Sequence, residues 1–423
     1  MQSCNPISTS TPDVPVRGWR RSRRFVRRLV SALAPALMLA VLGCREDAES
    51  PTGPMPEPVL TAAATQALAF EQVSVGGYHT CGVTTDGRAY CWGWNEFGQV
   101  GDGTVANRFL PRAVLGGLRF RHVSVGDNHS CGVTTDERAF CWGRNERGQL
   151  GDGTTADRLT AGAVAGGRRF RQIRAGVAHT CAITPFNVAF CWGENAEGRL
   201  GDGTNLRRLT PARVVGGLQW RQVSGGGGQT CGVTTDDRAY CWGGNGNGEL
   251  GDGTHVDRLQ PTAVAGGLRF RQIEAGYNHT CGVTTADRAF CWGYGGAGNL
   301  GDGTTPLSRP TPSAVAGERR FNHVNAGLSH TCGVTLAGRG FCWGGNGSGQ
   351  LGDGTTTQRS TPRALGTALD LAQVSTGGFH SCGVTTSHRA YCWGNNIRGQ
   401  IGDGTNDPSG NGRLLPVPVA APM

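Results

Sequence analysis

Short apolar segments separated by Gly and Asp clusters recur along most of this chain. In residues 70–117 the segments are rich in Val, Thr, Phe and Tyr. This pattern is typical of β-strands, and no part of the repeats has a convincing helical period. Four strands are predicted in this first unit: strand A at FEQVSV, strand B at HTCGVTT, strand C at RAYCWG and strand D at PRAVLGG.

The unit is repeated seven times at a spacing of 50 residues, with one step of 51. The copies align on Trp92, Trp142, Trp192, Trp242, Trp292, Trp343 and Trp393. Four strands at a period near 50 are typical of a propeller blade, because radial repetition leaves only short sheet edges exposed. The sequence therefore predicts an all-β, seven-bladed β-propeller with four antiparallel strands per blade over residues 69–420.

Strands B and C each contribute one cysteine to a C-x9-C pair. Direct pairing of Cys81 with Cys91 across an antiparallel hairpin leaves a three-residue loop, whose third residue must be left-handed. Gly87 suits that position, and Glu137 suits it worst among the seven units. Directly opposed residues are close enough for a disulfide. We predict seven bonds within blades: Cys81–Cys91, Cys131–Cys141, Cys181–Cys191, Cys231–Cys241, Cys281–Cys291, Cys332–Cys342 and Cys382–Cys392.

Zinc is the alternative for these cysteines, because His79 lies two residues before Cys81. The fourth unit has Gln229 in place of the histidine, and each blade offers only three ligands, so zinc is disfavoured. A redox role would favour C-x-x-C spacing. We expect no metal and no cofactor, and disulfides imply an oxidising compartment.

The N-terminal region has the composition of an export signal. Residues 17–28 contain seven arginines, and residues 29–43 form an apolar run of 15 that is too short to span a membrane. The ending VLGC resembles a bacterial lipobox, with Cys44 as the lipidated residue; an ordinary signal peptide is the alternative. Residues 1–43 are thus predicted as the signal and residues 44–68, which are rich in Pro, as a disordered tether. The protein would be exported, and either lipid-anchored at an outer membrane or cell surface or extracellular.

The formal charge of +9 does not indicate a nucleic-acid partner. All 40 basic residues are arginines, and from Cys44 onward 33 arginines face 30 acidic residues. That near balance leaves little electrostatic attraction for phosphate. We therefore expect no nucleic-acid binding, and no membrane contact except through the lipid anchor.

No constellation of catalytic residues is recognisable. Each GDGT motif holds one aspartate between glycines, whereas calcium needs six to eight oxygen ligands. An aspartate that accepts backbone N–H groups in a tight turn is the better interpretation. The serines lack a paired histidine with an orienting carboxylate. We expect a monomer without enzymatic activity, and a cell-envelope hydrolase or lyase is the alternative.

The segment HTCGVTTDGRAYCWGWNEFGQVGDGT resembles the repeat of the regulator of chromosome condensation family, and the resemblance covers about 350 residues. The added cysteine pairs and the lipobox are similar to exported bacterial members. The resemblance implies a seven-bladed propeller that binds proteins through loops. Guanine-nucleotide exchange, the activity of the best-known relative, is a second and weaker alternative, because no repeat contains an insertion the size of that relative's wedge.

A binding surface is expected where the repeats differ from one another. The A–B and C–D loops leave the blades at one end, and they carry aromatic and arginine residues of the kind that anchor interfaces. Drift of unconstrained loop residues is the alternative explanation. The candidate face comprises Tyr78, Trp94, Phe97, Asn128, Arg144, Arg147, Glu194, Tyr277, Tyr294, Phe379, Ile397 and Arg398. The expected partner is an unidentified protein, or a glycan, at the cell envelope.

Overall fold

The computed structural model describes residues 67–422. The predicted signal peptide, the lipidation site at Cys44 and the tether up to residue 66 lie outside the described residues and remain predictions. The described part contains 28 strands in seven four-stranded antiparallel sheets, which confirms the seven-bladed, all-β propeller.

The strands occupy equivalent positions in every blade. The A strands, which line the central channel, are β1 (Phe70–Val75), β5 (Phe120–Val125), β9 (Gln172–Ala175), β13 (Trp220–Gly225), β17 (Phe270–Ala275), β21 (Phe321–Ala326) and β25 (Leu371–Thr376). The B strands are β2 (His79–Thr84), β6 (His129–Thr134), β10 (His179–Ile183), β14 (Gln229–Thr234), β18 (His279–Thr284), β22 (His330–Thr335) and β26 (His380–Thr385).

The outer two strands of each blade follow in the same order. The C strands are β3 (Ala89–Gly93), β7 (Ala139–Gly143), β11 (Ala189–Gly193), β15 (Ala239–Gly243), β19 (Ala289–Gly293), β23 (Gly340–Gly344) and β27 (Ala390–Gly394). The D strands are β4 (Arg108–Ala113), β8 (Arg158–Ala163), β12 (Arg208–Arg213), β16 (Arg258–Ala263), β20 (Arg309–Ala314), β24 (Arg359–Ala364) and β28 (Arg413–Pro418).

Strand D begins earlier than its sequence pattern suggested. We expected it to begin at Pro111, but Arg108 already pairs with Gly93 of strand C, and the strand ends at Ala113. The start is fixed by an ion pair between Arg108 and Asp102 of the GDGT turn, which the apolar pattern does not reveal. The predicted segment, Pro111 to Gly117, therefore begins three residues too late and ends four residues too late.

The disulfide-bonded hairpin forms as predicted. Cys81 lies opposite Cys91, and all seven pairs are bonded within their own blades. The third loop residue has a positive φ in every blade, with 82° at Gly87 and 66° even at Glu137. The hairpin geometry thus prevails over the poor fit of glutamate to this backbone conformation.

The hydrophobic core lies between blades. Each cluster combines the B and C strands of one blade with strand A and the strand-C tryptophan of the next. Between the first two blades, for example, Cys81 and Val83 pack with Phe120 and Trp142, all of which are buried. A single blade therefore has no complete core of its own, and the ring is the stable unit.

One hydrogen-bonded joint recurs at every blade boundary, and we call it the tryptophan joint. The indole Nε1 of Trp142 and the hydroxyl of Ser130 both donate to the carbonyl oxygen of Gln99 in the preceding blade. Across the seven boundaries the indole distances are 2.9–3.0 Å. Gly101 permits this contact, since a Cβ there would lie 2.8 Å from the Trp142 nitrogen.

Six buried histidines extend the tryptophan joint. His129 Nε2, for instance, lies 2.9 Å from the hydroxyl of Thr180, whose single proton is already donated to the carbonyl of Gln149. The histidine must therefore donate from Nε2, which makes it the neutral Nε2–H tautomer. Burial lowers the pKa of five of these histidines to about 3: His79, His129, His279, His330 and His380. Burial also places that of His179 well below its usual value.

The ring closes through the same contacts that join the other blades. Trp92 donates to the carbonyl of Gln400, and Thr80 lies 2.8 Å from His380. Val417 and Val419 pack in one cluster with Phe70 and other residues of the first blade, so the C-terminal strand lies against the first unit. Each sheet contains four consecutive strands, so no blade combines strands from both ends of the described chain.

The disulfides are expected to contribute separately to stability. Replacing Cys281 and Cys291 together by alanine should lower the free energy of unfolding by about 2–3 kcal/mol, because the bond closes a loop of about 11 residues. The same double replacement at Cys131 and Cys141 should cost a similar amount. Urea unfolding measures both losses. An unchanged midpoint, or bonds between different blades in non-reducing peptide mapping, would contradict the prediction.

The histidines predict a loss of stability in acid. In the unfolded chain the histidines become protonated below about pH 6.5, whereas in the folded protein the buried ones stay neutral down to about pH 3. The free energy of unfolding therefore falls as the pH is lowered from about 6.5 to about 3. His129→Gln should reduce the slope in this window by about 1.4 kcal/mol per pH unit. Glutamine fits, since Gln229 occupies this position in the fourth blade and donates to Gly276 at 3.0 Å.

The control for this measurement is His255→Gln, because His255 is an exposed histidine outside the joints. Urea unfolding of both variants and the wild type between pH 4 and 7 gives the three slopes. A slope for His129→Gln equal to that of the wild type would show that the buried histidine does not govern the acid sensitivity.

Candidate binding face

The A–B and C–D loops form one end of the propeller, which we call the loop face. In the first blade the amide of Trp94 donates to the carbonyl of Tyr78 at 2.9 Å, and Arg144 and Asn128 make the same bond in the second blade. The B–C and D–A turns meet at the opposite end, where Phe120 donates to Gly87. The loops predicted to carry the binding residues therefore do share one face.

A polar framework holds each C–D loop. In the first blade Asn95 donates from Nδ2 to the carbonyls of Thr104 and Ala106 at 2.9 and 3.0 Å. Asp102 accepts from the amide and hydroxyl of Thr104 at 3.1 and 2.8 Å and pairs with Arg108. Burial alone would raise the pKa of Asp102, but these hydrogen bonds outweigh it and lower the pKa. The interpretation of the GDGT aspartates as turn residues is confirmed.

Four aromatic residues and an arginine form a continuous strip on the loop face, which we call the aromatic arc. Ring centroids are 5.6 Å apart between Phe379 and Tyr78, 6.1 Å between Tyr78 and Trp94, and 5.5 Å between Trp94 and Phe97. The guanidinium of Arg144 lies 4.7 Å from the centre of the Phe97 ring. The arc thus crosses the seventh, first and second blades, and its members are half-exposed.

The other predicted residues surround the arc or lie away from it. Arg147 pairs with Glu194 at 3.2 Å, which continues the surface from the second blade to the third. Burial, and next the charge of Asp127, raise the pKa of the Tyr78 phenol, and the positive charge of Arg398 opposes this shift without reversing it. Ile397 and Arg398 are exposed on the seventh blade. Tyr294 is in the fifth blade and contacts no ring of the arc within residues 67–422.

Tyr277 spans the mouth of the channel. Its hydroxyl donates to Asp127 Oδ1 at 2.6 Å, which joins the A–B loops of the fifth and second blades. Asn128 donates to the other carboxylate oxygen of Asp127 at 3.2 Å. Burial, and next the negative charge of Asp127, raise the pKa of the Tyr277 phenol well above its usual range. Tyr277 is therefore a constriction of the channel rather than a member of the arc.

The central channel holds a cavity of about 370 Å³ lined by the seven A strands. Asp127, Arg174 and Glu274 bring charge into this cavity, and sequence reasoning missed all three. Comparison of the position of Ser74, the fifth residue of β1, across the repeats could have found two of them. In chain order this position holds Ser74, Ser124, Arg174, Ser224, Glu274, Asn325 and Ser375.

Neither metal ligation nor membrane crossing has positive support in the described chain. Residues 67–422 bring together no group of three or more His, Cys, Asp and Glu side chains that could hold a metal ion. No helix long and apolar enough to cross a bilayer occurs in the same range. The cysteines that zinc would require are consumed in disulfides.

Comparison with protein families identifies the fold family. The RCC1-like domain matches residues 39–332, which is more than half of the chain. The chain belongs to the RCC1-like family. The regulator of chromosome condensation (RCC1) repeat also matches residues 337–384 and 371–400, so the family features extend through the last two blades.

Three relatives show the range of similarity to this RCC1-like protein. The ultraviolet-B receptor UVR8 of Arabidopsis thaliana is 48% identical over 42 residues, and this stretch covers only 10% of each chain. Human WBSCR16 is 22% identical with a TM-score of 0.69, covering 75% of this chain and 87% of its own. Prp20p of Saccharomyces cerevisiae is 20% identical with a TM-score of 0.70, covering 80% and 87%. These structures share the fold.

The Tyr277–Asp127 contact in this RCC1-like propeller predicts a specific titration. Asp127→Asn removes the negative charge that disfavours the phenolate, so the pKa of Tyr277 should fall, yet stay above its ordinary value because burial remains. NMR of protein labelled with 13C at tyrosine Cζ follows this titration directly. Asp136→Asn, an exposed carboxylate on the opposite rim, is the control. Equal values in both variants would disprove the coupling.

Proposed function

We propose that this protein is an exported scaffold that binds a protein partner on the aromatic arc and has no catalytic activity of its own. The observation that carries the proposal is the continuous contact of Phe379, Tyr78, Trp94 and Phe97, ending in Arg144. Aromatic and arginine side chains that cluster at the centre of a surface are the usual anchors of protein interfaces.

The distribution of residues around the ring supports a defined footprint. The position of Trp94 in the first blade is Gly244 in the fourth blade and Gly345 in the sixth, and the position of Tyr78 is Gly228 and Ser329 there. Propeller folding therefore does not require aromatic residues at these loop positions. At these two positions the aromatic residues are Tyr78, Trp94 and Phe379 on adjacent blades, and Tyr294 on the fifth blade. The contact of three of the four favours a binding role over drift, which would scatter them around the ring.

Export is part of the proposal and is supported by covalent chemistry. Seven disulfides in 356 described residues suit an oxidising compartment, because cytosolic thiols are kept reduced. The arginine-rich and apolar segments before Cys44 supply the expected signal, and lipidation of Cys44 would tether the propeller. If so, Cys44→Ala moves the protein from the membrane fraction to the soluble exported fraction. A soluble wild type whose N-terminus is not Cys44 would contradict the anchor.

The binding proposal is tested by chemical crosslinking on intact cells followed by capture of the tagged protein. The variant Trp94→Ala with Phe97→Ala removes the centre of the arc, and Tyr294→Ala removes an aromatic residue from the same face outside it. Loss of an interface anchor costs about 2 kcal/mol or more, so the double variant should capture about thirtyfold less partner. Tyr294→Ala should capture as much as the wild type. Both variants must first melt at the wild-type temperature.

The outcomes separate the candidate functions. A protein captured by the wild type and Tyr294→Ala, but not by the double variant, supports the arc. Equal capture by all three moves the site elsewhere. If the captured partner that the double variant loses is a glycan, the arc binds a glycan and not a protein. Turnover of a cell-envelope polymer by the purified wild type would favour the hydrolase, and accelerated release of guanine nucleotide from a GTPase would favour the exchange factor.

A further inference from the structure

The central channel contains charged side chains that are not part of the aromatic arc. We infer that Arg174 and Glu274 form a binding site for a small dipolar ligand that bears a carboxylate and an ammonium group, as in a short peptide. The inference rests on two departures from a rule that the other blades obey.

The rule concerns the Ser74 position of strand A, whose side chain normally accepts a hydrogen bond from a backbone amide of the next blade. Ser74 Oγ accepts from the amide of Val125 at 3.0 Å, and Ser124 Oγ accepts from Ala175 at 3.0 Å. The remaining bonds of this kind are Ser224 to Ala275, Asn325 to Thr376 and Ser375 to Val75, at 2.8–3.1 Å. Five of the seven blades thus use a small polar side chain at this position to accept a hydrogen bond from the next blade.

Arg174 and Glu274 give up this bond. An arginine has no acceptor atom for the amide of Gly225, and Glu274 directs its carboxylate to other partners. A charged side chain at a position where serine would serve the fold is a local departure of the kind that marks functional sites. The two departures have opposite charges and face one cavity.

The guanidinium of Arg174 retains most of its donor capacity. Within residues 67–422 its one hydrogen bond runs from Nη1 to the carbonyl of Ile173 at 3.3 Å, and it forms no ion pair there. The other arginine that lines the cavity, Arg271, is already paired with Asp287 at 3.0 Å. Arginine presents a planar fork that matches a carboxylate with two parallel hydrogen bonds. Arg174 is therefore the carboxylate-binding end of the site.

Glu274 is held in place by neutral donors. Its Oε1 accepts from Gln222 and Gln272 at 3.1 and 3.3 Å, and its Oε2 accepts from Ser224 at 2.9 Å. These three donors orient the carboxylate without cancelling its charge. Oriented carboxylates bind ammonium groups by charge-assisted hydrogen bonds. Glu274 is therefore the ammonium-binding end of the site.

The rest of the cavity suits a small polar ligand. A volume of about 370 Å³ lies at the lower end of the range for small-molecule pockets, which is about 300–1,000 Å³. Serine, glutamine and asparagine side chains supply most of the remaining polar lining. Opposite charges that stand apart in one small polar cavity are complementary to a molecule with both charges.

The test uses the purified propeller and isothermal titration with glycine, glycylglycine and triglycine, which differ in the distance between their charges. Arg174→Ser and Glu274→Ser introduce the residue used by four of the other five blades, so both variants should melt at or above the wild-type temperature. At least one probe should bind the wild type, and each variant should bind that probe at least about tenfold more weakly. Arg169→Gln, on the exposed rim, is the control and should bind like the wild type.

Modified probes assign the two ends. N-acetylation of the best probe removes its ammonium charge and should weaken binding to the wild type, with no further loss in Glu274→Ser. Amidation of the carboxylate of the probe should likewise weaken its binding to the wild type and cause no further loss of affinity in Arg174→Ser. The inference is overturned if none of the three probes binds, if both serine variants bind like the wild type, or if the variants lose stability and binding together. Capture on the aromatic arc is measured separately, so either result stands without the other.

Discussion

The tryptophan joint is the interaction on which the ring depends. A backbone carbonyl in one blade receives an indole N–H and a hydroxyl from the next, in a buried site where an unpaired carbonyl would be costly. The buried histidines complete the arrangement by donating to the hydroxyls. Because the same bonds form between the last blade and the first, the boundary that closes the ring is held in the same way as the other boundaries.

This joint also explains how the loop face is free to vary. The acceptor is a main-chain oxygen, so the residue that supplies it is Gln99 in one blade, Arg199 in another and Glu249 in a third. The side chains of the residues that supply this carbonyl, and the variable side chains at the positions of Trp94 and Phe97, take no part in the joint. Structural and binding requirements therefore fall on different atoms of the same segments.

The sequence was sufficient for features that repeat and insufficient for those that occur once. The period, the hairpin register and the disulfides follow from local spacing that seven copies reinforce. Tyr277 and Asp127 are 150 residues apart and meet only because the ring brings opposite blades together across the channel. Arg174 and Glu274 were missed for a related reason. When the repeats are aligned, most have serine at this position, and a single charged residue in one copy resembles random variation.

The connectivity of the cysteines bears on how the chain acquires its bonds. In every blade the partner of a cysteine is the next cysteine along the chain, at a separation of 10 residues. A chain that enters an oxidising compartment from its N-terminus can therefore pair its cysteines in the order in which they arrive. Among the cysteines of the propeller each native bond is also the one with the shortest loop to close, so loop-closure entropy favours the native set over pairs between blades.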